Sequence, residues 1–307
     1  MLGFYFILLF GCNRSLPLVN LSGNAWGTTY SIKIISDKNI SHNISEIKLG
    51  IDSIIVDIDN QMSTYKINSE ISLFNNLPKN GAINISHGFS EVIKRSIYWS
   101  EVTLGSFDIT IFPAVINWRQ GKKDREYNDI WEPPTDLDII MEMEKIGYDK
   151  IKLSDNTLKK SITGQMIDVN AIAKGWGVDQ IFDYLKFNGY SRFMVEVGGE
   201  IRVLGLNNKG KKWEIGIDKP IRGNNPGENI IGEVARLKDQ AMATSGNYRN
   251  YYEFDGNKYS HIIDPRNGKS IFSDISSVTV VAPNCLDADV LATALNVLSY
   301  NEGLQLI

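Results

Sequence analysis

The sequence has little cysteine and no excess of positive charge, and these two features limit what it can be. Only Cys12 and Cys285 occur among 307 residues, so a disulfide framework is excluded if Cys12 is modified, and the fold must depend on its apolar core. The formal net charge is −4, and no basic cluster of the kind a nucleic-acid binder needs is present. We therefore expect a globular protein with no nucleic-acid partner.

The N-terminus has an apolar run without any charge. Its sequence is MLGFYFILLFG, followed directly by Cys12. The run is too short to span a bilayer as a mature helix but suits the core of an export signal, and Leu9 to Cys12 resembles the lipobox of bacterial lipoproteins. We expect residues 1–11 to be a signal peptide, 12–24 a polar tether and 25–307 a single domain of two intimately packed lobes. A buried N-terminal strand is the alternative interpretation.

Apolar periodicity predicts strands in series with a few helices. Alternation predicts a strand from Thr29 to Ile35, and helical spacing predicts helices at 44–60 and from Ser90 to Thr103. The charged stretch 118–137 is interpreted as a surface excursion. Further strands are predicted at Arg192–Val197, Glu200–Gly205, Trp213–Asp218, Ile231–Leu237 and Ser277–Ala282, with helices near 171–187 and 287–300. This order predicts an α+β fold with antiparallel-rich sheets and flanking helices, not a doubly wound parallel sheet.

The run DADVLATAL, which begins at Asp287, is the strongest local signal. On a helix, Asp289 and Thr293 lie one turn apart on one face. Mg²⁺ binds hard oxygens, commonly one or two carboxylates completed by substrate phosphates and water. This pair, with a backbone oxygen such as that of Ala292, can supply part of such a shell. The alternative is that Asp287 and Asp289 stabilise the first turn of the helix through its dipole.

A second run, DVNAIAKGWG, begins at Asp168 and joins an apolar stretch to a helix start. Asp168 either caps the helix or accepts a hydrogen bond from the N–H edge of a heterocycle. Lys174 either pairs with a phosphate or is a solvated charge. The run is neither a Walker loop nor G-x-G-x-x-G, which excludes both standard phosphate cradles here.

Three shorter segments can each be explained by turn formation or core packing without any functional role. His261 opens HIIDPRNG, whose Asp-Pro and Asn-Gly pairs are strong turn chemistry, and it is either structural or a general base. Met62 and Tyr65 follow an amphipathic helix, where core packing is the default. The run GSFD, residues 105–108, indicates only a turn when taken alone.

Together these segments resemble, in order, the ApbE family, the FAD:protein FMN transferases. The runs that carry the resemblance are MSTYK, GSFD, DVNAIAKG, VGGEI, ATSGNY, HIIDPRNG and DADVLATAL. The runs lie between residues 62 and 295, and the resemblance covers roughly residues 25–307, nearly the whole expected mature chain.

The resemblance implies a T-fold-like architecture and a Mg²⁺-dependent transfer of FMN from FAD onto a Ser or Thr hydroxyl, with release of AMP. It implies that Asp289 and Thr293 bind the metal through their side chains, and Ala171 and Ala292 through backbone oxygen. His261 is our candidate general base. The positions implied to contact FAD are Met62, Tyr65, Ser106, Phe107, Asp108, Asp168, Lys174, His261 and Ile263.

The resemblance also implies partners. We expect a lipid anchor at Cys12 in the bacterial inner membrane, facing the periplasm, and an acceptor with a motif similar to D-x-x-S/T-G-A-T. No such stretch occurs in this sequence, so the acceptor is expected on another protein, a subunit of a membrane electron-transfer complex. Two alternatives stay open, namely a Mg²⁺-dependent FAD pyrophosphatase that gives FMN and AMP, and a non-enzymatic FAD-binding lipoprotein.

Overall fold

The computed structural model describes residues 16–35, 44–121, 131–221, 230–248, 251–273 and 275–307. The predicted signal peptide and Cys12 lie outside the described residues. The helices are α1 (Ile44–Met62), α2 (Glu70–Asn75), α3 (His87–Val102), α4 (Phe112–Gln120), α5 (Asp136–Met143), α6 (Asn170–Phe187), α7 (Cys285–Val297) and α8 (Tyr300–Leu306). None of these helices is both long and apolar enough to cross a membrane.

The strands form one large sheet and three small ones. They are β1 (Leu18–Ala25), β2 (Thr28–Ile35), β3 (Ala82–Asn84), β4 (Ile151–Ser154), β5 (Thr157–Lys160), β6 (Phe193–Val197), β7 (Glu200–Leu204), β8 (Trp213–Asp218), β9 (Ile231–Leu237), β10 (Gln240–Gly246), β11 (Tyr251–Phe254), β12 (Asn257–Ser260) and β13 (Ser277–Ala282). The large sheet has the order β1-β2-β6-β7-β10-β13, and the small ones are β3-β5-β4, β8-β9 and β11-β12. Every pairing between these strands is antiparallel, which confirms the predicted antiparallel-rich α+β fold.

Strand β1 corrects the predicted tether over residues 12–24. Its residues pair with β2 in a continuous register from Leu18 opposite Ile35 to Ala25 opposite Thr28. Leu21 and Ala25 are buried, at 8% and 4% exposed. The prediction was wrong here because Gly23 and Ala25 occupy inward positions, where such small residues weaken the apolar alternation. The domain therefore begins several residues before position 25.

Helices α6 and α7 pack on one face of the large sheet. Ala241 and Ala243 lie two residues apart on β10 and so point to the same face. Ala241 joins the apolar cluster that contains Val178 and Ile181 of α6, and Ala243 joins the cluster formed with α7. Met242 points to the opposite face, where the β8-β9 hairpin covers it. Burial of each large aliphatic side chain contributes about 1.5–3 kcal/mol, so this core holds both helices in place.

One buried carboxylate joins three of these elements. Asp179 of α6 accepts the N–H groups of Cys285 and Leu286 at the start of α7, both at 2.9 Å. It also accepts a hydrogen bond from Nη1 of Arg202 in β7, at 2.8 Å. The first N–H groups of a helix have no partner within the helix, so an acceptor from a neighbouring element fixes its start. Asp179 thus sets the position of α7 relative to α6 and the sheet.

Helix boundaries differ from the predictions where a capping residue decides them. Helix α3 begins at His87 because the Ser86 hydroxyl accepts the N–H of Phe89, three residues before the predicted start at Ser90. The predicted helix near 287–300 corresponds to α7, which ends at Val297, and Ser299 then begins the separate helix α8 with a capping box.

The stretch 118–137 is not a simple surface excursion. Trp118 lies in the last turn of α4 and is 5% exposed. After residues 122–130, which lie outside the described residues, Thr135 caps the start of α5. Both ends of the stretch are therefore parts of the packed fold.

Candidate active site

One cavity of about 490 Å³ brings most of the predicted site residues together. Its wall comes from the loop before α4, the first turns of α6, the β6-β7 turn, the end of β10, the segment after β12, and α7. The predicted residues that line it are Ser106, Phe107, Asp108, Asp168, Ala171, Lys174, His261, Ile263, Asp289 and Thr293.

Three predicted residues do not line this cavity. Met62 is 3% exposed and packs in the core near Phe89, which agrees with its default interpretation. Tyr65 is 83% exposed. Ala292 is 1% exposed and packs against Ala243, so only its backbone oxygen is relevant to the predicted role.

Asp289 connects α7 to the first turns of α6. It is 5% exposed, and its Oδ2 accepts the N–H of Gly175 at 3.0 Å. In a regular helix that N–H donates to the carbonyl four residues before it, which here belongs to Ala171. Because Asp289 accepts this N–H, the carbonyl of Ala171, a residue that lines the cavity, keeps acceptor capacity for another group.

The neighbouring acid on α7 has a different environment. Asp287 Oδ1 accepts the indole N–H of Trp99 at 2.7 Å and pairs with Arg95, and its Oδ2 accepts the side-chain amide of Asn284 at 2.8 Å. Asp287 is not among the residues that line the cavity. Of the two acids in this run, Asp287 is therefore the structural one.

The donor set at Asp289 fits Mg²⁺ in type. Asp289 and Thr293 both line the cavity one helical turn apart, and Ala171 of α6 lines the same cavity. Within the described ranges, no group of three or more His, Cys, Asp or Glu side chains is arranged to hold a metal. A shell of one carboxylate, one hydroxyl and backbone oxygen needs no such group, since Mg²⁺ commonly keeps waters and substrate phosphates as further ligands.

Lys174 forms a partly buried ion pair, with its own side chain 32% exposed, and is not a free surface charge. Its Nζ donates to Oε1 of Glu200, which is 3% exposed at the start of β7. Burial lowers the pKa of Lys174, but the nearby carboxylates of Asp289 and Glu200 outweigh this effect and raise its pKa above the ordinary value. Burial raises the pKa of Glu200 to about 7 even though the charge of Lys174 opposes that change. The cavity wall thus holds a fixed positive charge between two carboxylates.

Asp108 and Asp168 are engaged in local hydrogen bonds beside the cavity. Asp108 accepts the N–H of Thr110 at 2.8 Å and that of Tyr148 at 2.9 Å. Asp168 accepts the N–H of Asn170 at 2.7 Å, at the first residue of α6. Burial raises the pKa of both acids. Each can still present an oxygen to a ligand, because both line the cavity.

His261 and Ser106 provide two further polar groups. His261 comes directly after β12 and is exposed at the cavity wall. The Ser106 hydroxyl is buried and has no hydrogen-bond partner among the described residues. An unpartnered buried hydroxyl is costly, so a bound ligand that supplies a partner would stabilise this wall.

Sequence reasoning missed several lining residues. Glu200, Thr244 and Ser245 stand within the runs VGGEI and ATSGNY, so the signal was present although no role was assigned to them. Arg119 and Val115 had no such signal, because they lie on α4, which was not predicted. Only the fold places them opposite α6.

Gly175 allows α6 and α7 to approach closely. A Cβ at this position would lie 2.5 Å from the carbonyl oxygen of Cys285 and 2.8 Å from the Cα of Leu286. Because these are backbone atoms, we expect Gly175→Ala to destabilise the protein by about 1–3 kcal/mol and to displace Asp289. Urea unfolding of both proteins measures the first effect.

A matched control for this change is Gly88→Ala on α3. The nearest group to a Cβ there is the end of the flexible Gln61 side chain, 2.9 Å away, so a small change in stability is expected. Equal stability of Gly175→Ala and the wild type would contradict the close approach of the two helices.

Comparison with known proteins gives one consistent group of relatives. The profile described as the ApbE family matches residues 26–307. A Vibrio cholerae protein named FAD:protein FMN transferase is 39% identical over 298 residues, which is 97% of this chain and 86% of that protein. An Escherichia coli protein of the same name is 29% identical over 293 residues, covering 94% and 80%.

Solved structures of proteins from the same group are also similar to this chain in fold. The structure titled flavin transferase ApbE from Vibrio cholerae has a TM-score of 0.82 and 37% identity, covering 95% of this chain and 90% of that one. The apo form of the Pseudomonas stutzeri flavinyl transferase ApbE also has a TM-score of 0.82, with 30% identity and coverage of 95% and 88%.

Proposed function

Because the chain belongs to the ApbE family, we propose that it transfers FMN from FAD onto a Ser or Thr hydroxyl of a partner protein and releases AMP. The observation that carries this proposal is the convergence of Asp168, Lys174, His261, Asp289 and Thr293 on one cavity. These residues come from distant parts of the chain, so their meeting is not a consequence of local sequence. The names of the relatives support the reaction class.

The cavity provides both kinds of surface that a flavin dinucleotide needs. Apolar side chains such as Phe107, Val115 and Ile263 suit a flat ring system. Asp168 can accept the N–H edge of a heterocycle, and the unpartnered hydroxyl of Ser106 can bond a polar atom of the ligand. We propose that these groups orient FAD so that its diphosphate lies near Lys174.

We propose that Asp289, Thr293 and the carbonyl of Ala171 hold Mg²⁺, with Ala292 as a further source of backbone oxygen. A bound Mg²⁺ would offset the negative charge that develops on the diphosphate as it is cleaved. The chain itself supplies a fixed charge for the same purpose at Lys174, which Glu200 holds at the cavity wall.

The proposed reaction forms one bond and breaks one at phosphorus, and one proton moves to His261. The acceptor hydroxyl oxygen bonds to the phosphorus of the FMN half, and the bond from that phosphorus to the bridging oxygen breaks. AMP leaves with the bridging oxygen. His261 takes the hydroxyl proton, since a general base must lie within reach of the attacking group and His261 is exposed at the cavity wall.

Two other functions make different predictions at the same site. A pyrophosphatase would let water replace the acceptor hydroxyl and would give free FMN and AMP. A binding protein would leave FAD unchanged. The polar set around Asp289 favours catalysis over storage, because binding a flavin does not require Asp289 and Thr293 one turn apart at the cavity wall.

The test mixes the purified protein with FAD, Mg²⁺ and a small domain that carries a D-x-x-S/T-G-A-T motif. We expect flavin fluorescence on the acceptor after denaturing electrophoresis. The matched control is the same domain with its Ser or Thr replaced by Ala, which should stay dark. Free FMN without a labelled acceptor would support the hydrolase, and unaltered FAD would leave only the binding protein.

We also propose that Cys12 carries a lipid anchor at the periplasmic side of the bacterial inner membrane, where the acceptor would be a subunit of an electron-transfer complex. The support is the apolar run before Cys12, which lies outside the described residues. Membrane fractionation of cells that express Cys12→Ser tests it, and retention in the membrane fraction would contradict it.

A further inference from the structure

Four aromatic side chains form a cluster beside the cavity, which we call the aromatic cluster. It consists of Trp118 in the last turn of α4, Trp131, Tyr252 of β11 and Tyr259 of β12. Trp131 stacks on Tyr252 with ring centroids 4.6 Å apart and planes 14° apart. The Trp118 centroid lies 5.7 Å from that of Tyr259 and 6.3 Å from that of Trp131. The cluster therefore joins α4 to both strands of the hairpin.

Two indole hydrogen bonds fix the orientation of the cluster. Nε1 of Trp131 donates to the carbonyl of Trp118 at 2.9 Å. Nε1 of Trp118 donates to the carbonyl of Gly268 at 2.8 Å, and Gly268 belongs to the turn that follows His261. Both tryptophan side chains are thus held at their apolar faces and at their single polar atoms.

The hairpin needs this support from side chains. Among the described strands, β11 and β12 pair only with each other, and each has four residues. A two-stranded hairpin of this length is marginal by itself. His261 follows the last residue of β12 directly, so the hairpin carries it at the cavity wall. Ile263, two residues further, packs with Trp118 in the same apolar group.

We propose that Trp131 is a positioning residue, which holds the β11-β12 hairpin against α4 through its stack on Tyr252 and so sets where His261 lies on the cavity. The inference rests on the proposed function, in which His261 takes the proton of the acceptor hydroxyl. A displacement of about 1 Å at a reacting group can slow a reaction about a hundredfold. If the hairpin is no longer held against α4, His261 is displaced. We therefore expect the rate of transfer to fall more than the affinity for FAD.

Kinetics of full-length variants test whether the stack of Trp131 on Tyr252 affects catalysis. We expect Trp131→Ala and Tyr252→Ala each to lower kcat by about tenfold to a hundredfold, with a much smaller change in KM for FAD. Trp131→Phe keeps a ring on Tyr252 and should recover most of kcat. The matched control is Tyr251→Ala, since Tyr251 is the adjacent residue on β11, points to the opposite face and lies outside the aromatic cluster.

Coupling between the two rings sharpens the test. If Trp131 and Tyr252 act through one stack, the double Ala variant should be hardly slower than either single variant. Multiplicative effects of the two changes would contradict a shared mechanism. Wild-type kcat in Trp131→Ala would overturn the proposal outright.

Amide hydrogen exchange without FAD separates this proposal from the proposed function. We expect the hairpin to exchange faster in Trp131→Ala and Tyr252→Ala but not in Tyr251→Ala, while α6 and the large sheet keep wild-type exchange. A lower kcat with unchanged exchange in the hairpin would overturn the positioning role. If the wild type labels no acceptor, the proposed function fails, whereas the exchange result still decides whether the cluster holds the hairpin. If Trp131→Ala does not fold, Trp131→Phe and Tyr252→Ala carry the comparison.

Discussion

Replacement of Asp289 by Asn is expected to abolish transfer while the protein stays folded. Asn has nearly the same shape and its side-chain oxygen can still accept the N–H of Gly175, which Asp289 accepts at 3.0 Å. The change removes the carboxylate charge that we propose to hold Mg²⁺ beside Thr293. Loss of one such electrostatic contribution costs about a hundredfold to a thousandfold in rate, so little labelled acceptor should form.

The stability of Asp289→Asn should equal or exceed that of the wild type. Burial raises the pKa of Asp289 above its unfolded value, although the charge of Lys174 lowers it in part. Protonation of such an acid stabilises the folded state. This contribution to the free energy of unfolding is lost as the pH rises through the pKa of the acid in the folded protein. The neutral Asn variant avoids that loss at high pH. Urea unfolding without metal at several pH values measures the difference.

Asp287→Asn is the matched control on the same helix. Asp287 pairs with Arg95 and accepts the indole N–H of Trp99 at 2.7 Å, outside the cavity lining. We expect this variant to be less stable but to transfer FMN at near the wild-type rate. Calorimetric titration with FAD, with and without Mg²⁺, adds a measurement besides activity. Only Asp289→Asn should lose the effect of Mg²⁺ on FAD binding. Wild-type transfer by Asp289→Asn together with loss of transfer by Asp287→Asn would contradict the roles that we give to the two acids.

Replacement of His261 by Asn should also abolish transfer, but for a different reason. The change removes the base that takes the acceptor proton and leaves the apolar wall and Lys174 in place. General base catalysis typically contributes about a hundredfold to ten-thousandfold, so the rate should fall by this factor while FAD still binds. Quenching of flavin fluorescence measures binding, and the time course of acceptor labelling measures transfer.

His87→Asn is the control for this change. His87 is the first residue of α3 and is not among the residues that line the cavity. We expect wild-type transfer from it. Unchanged transfer by His261→Asn would remove His261 from the mechanism, and loss of FAD affinity in that variant would make it a binding residue instead.

The sequence predicted the antiparallel-rich α+β fold, and most of the candidate site residues lie at one cavity of that fold. Asp289 and Thr293 are one helical turn apart, so their shared face followed from helical spacing alone. Whether they meet Lys174 depends on the packing of α6 on α7 at Gly175, which no local pattern shows. The resemblance to a family supplied that missing long-range information. It did not distinguish Met62, which is packed in the core, from the residues that line the cavity.

Other features could not be predicted because they depend on tertiary contacts. The apolar alternation in β1 is weak because Gly23 and Ala25 occupy inward positions, and its strand character comes from pairing with β2. The sequence around Glu200 indicates only a strand, and the contact of Glu200 with Lys174 is a consequence of the fold. Trp131 lies in a charged, proline-containing stretch, and its packing shows only in the fold, where it is half-buried and stacks on Tyr252.

The central claim is that the acceptor hydroxyl, and not water, receives the FMN half of FAD. Its most direct test is the intact mass of an acceptor domain after incubation with FAD, Mg²⁺ and the protein, combined with chromatography of the AMP released. We predict that the acceptor gains the mass of one FMN less one water and that one AMP forms for each modified acceptor. AMP and free FMN in equal amounts, with an acceptor of unchanged mass, would contradict the claim.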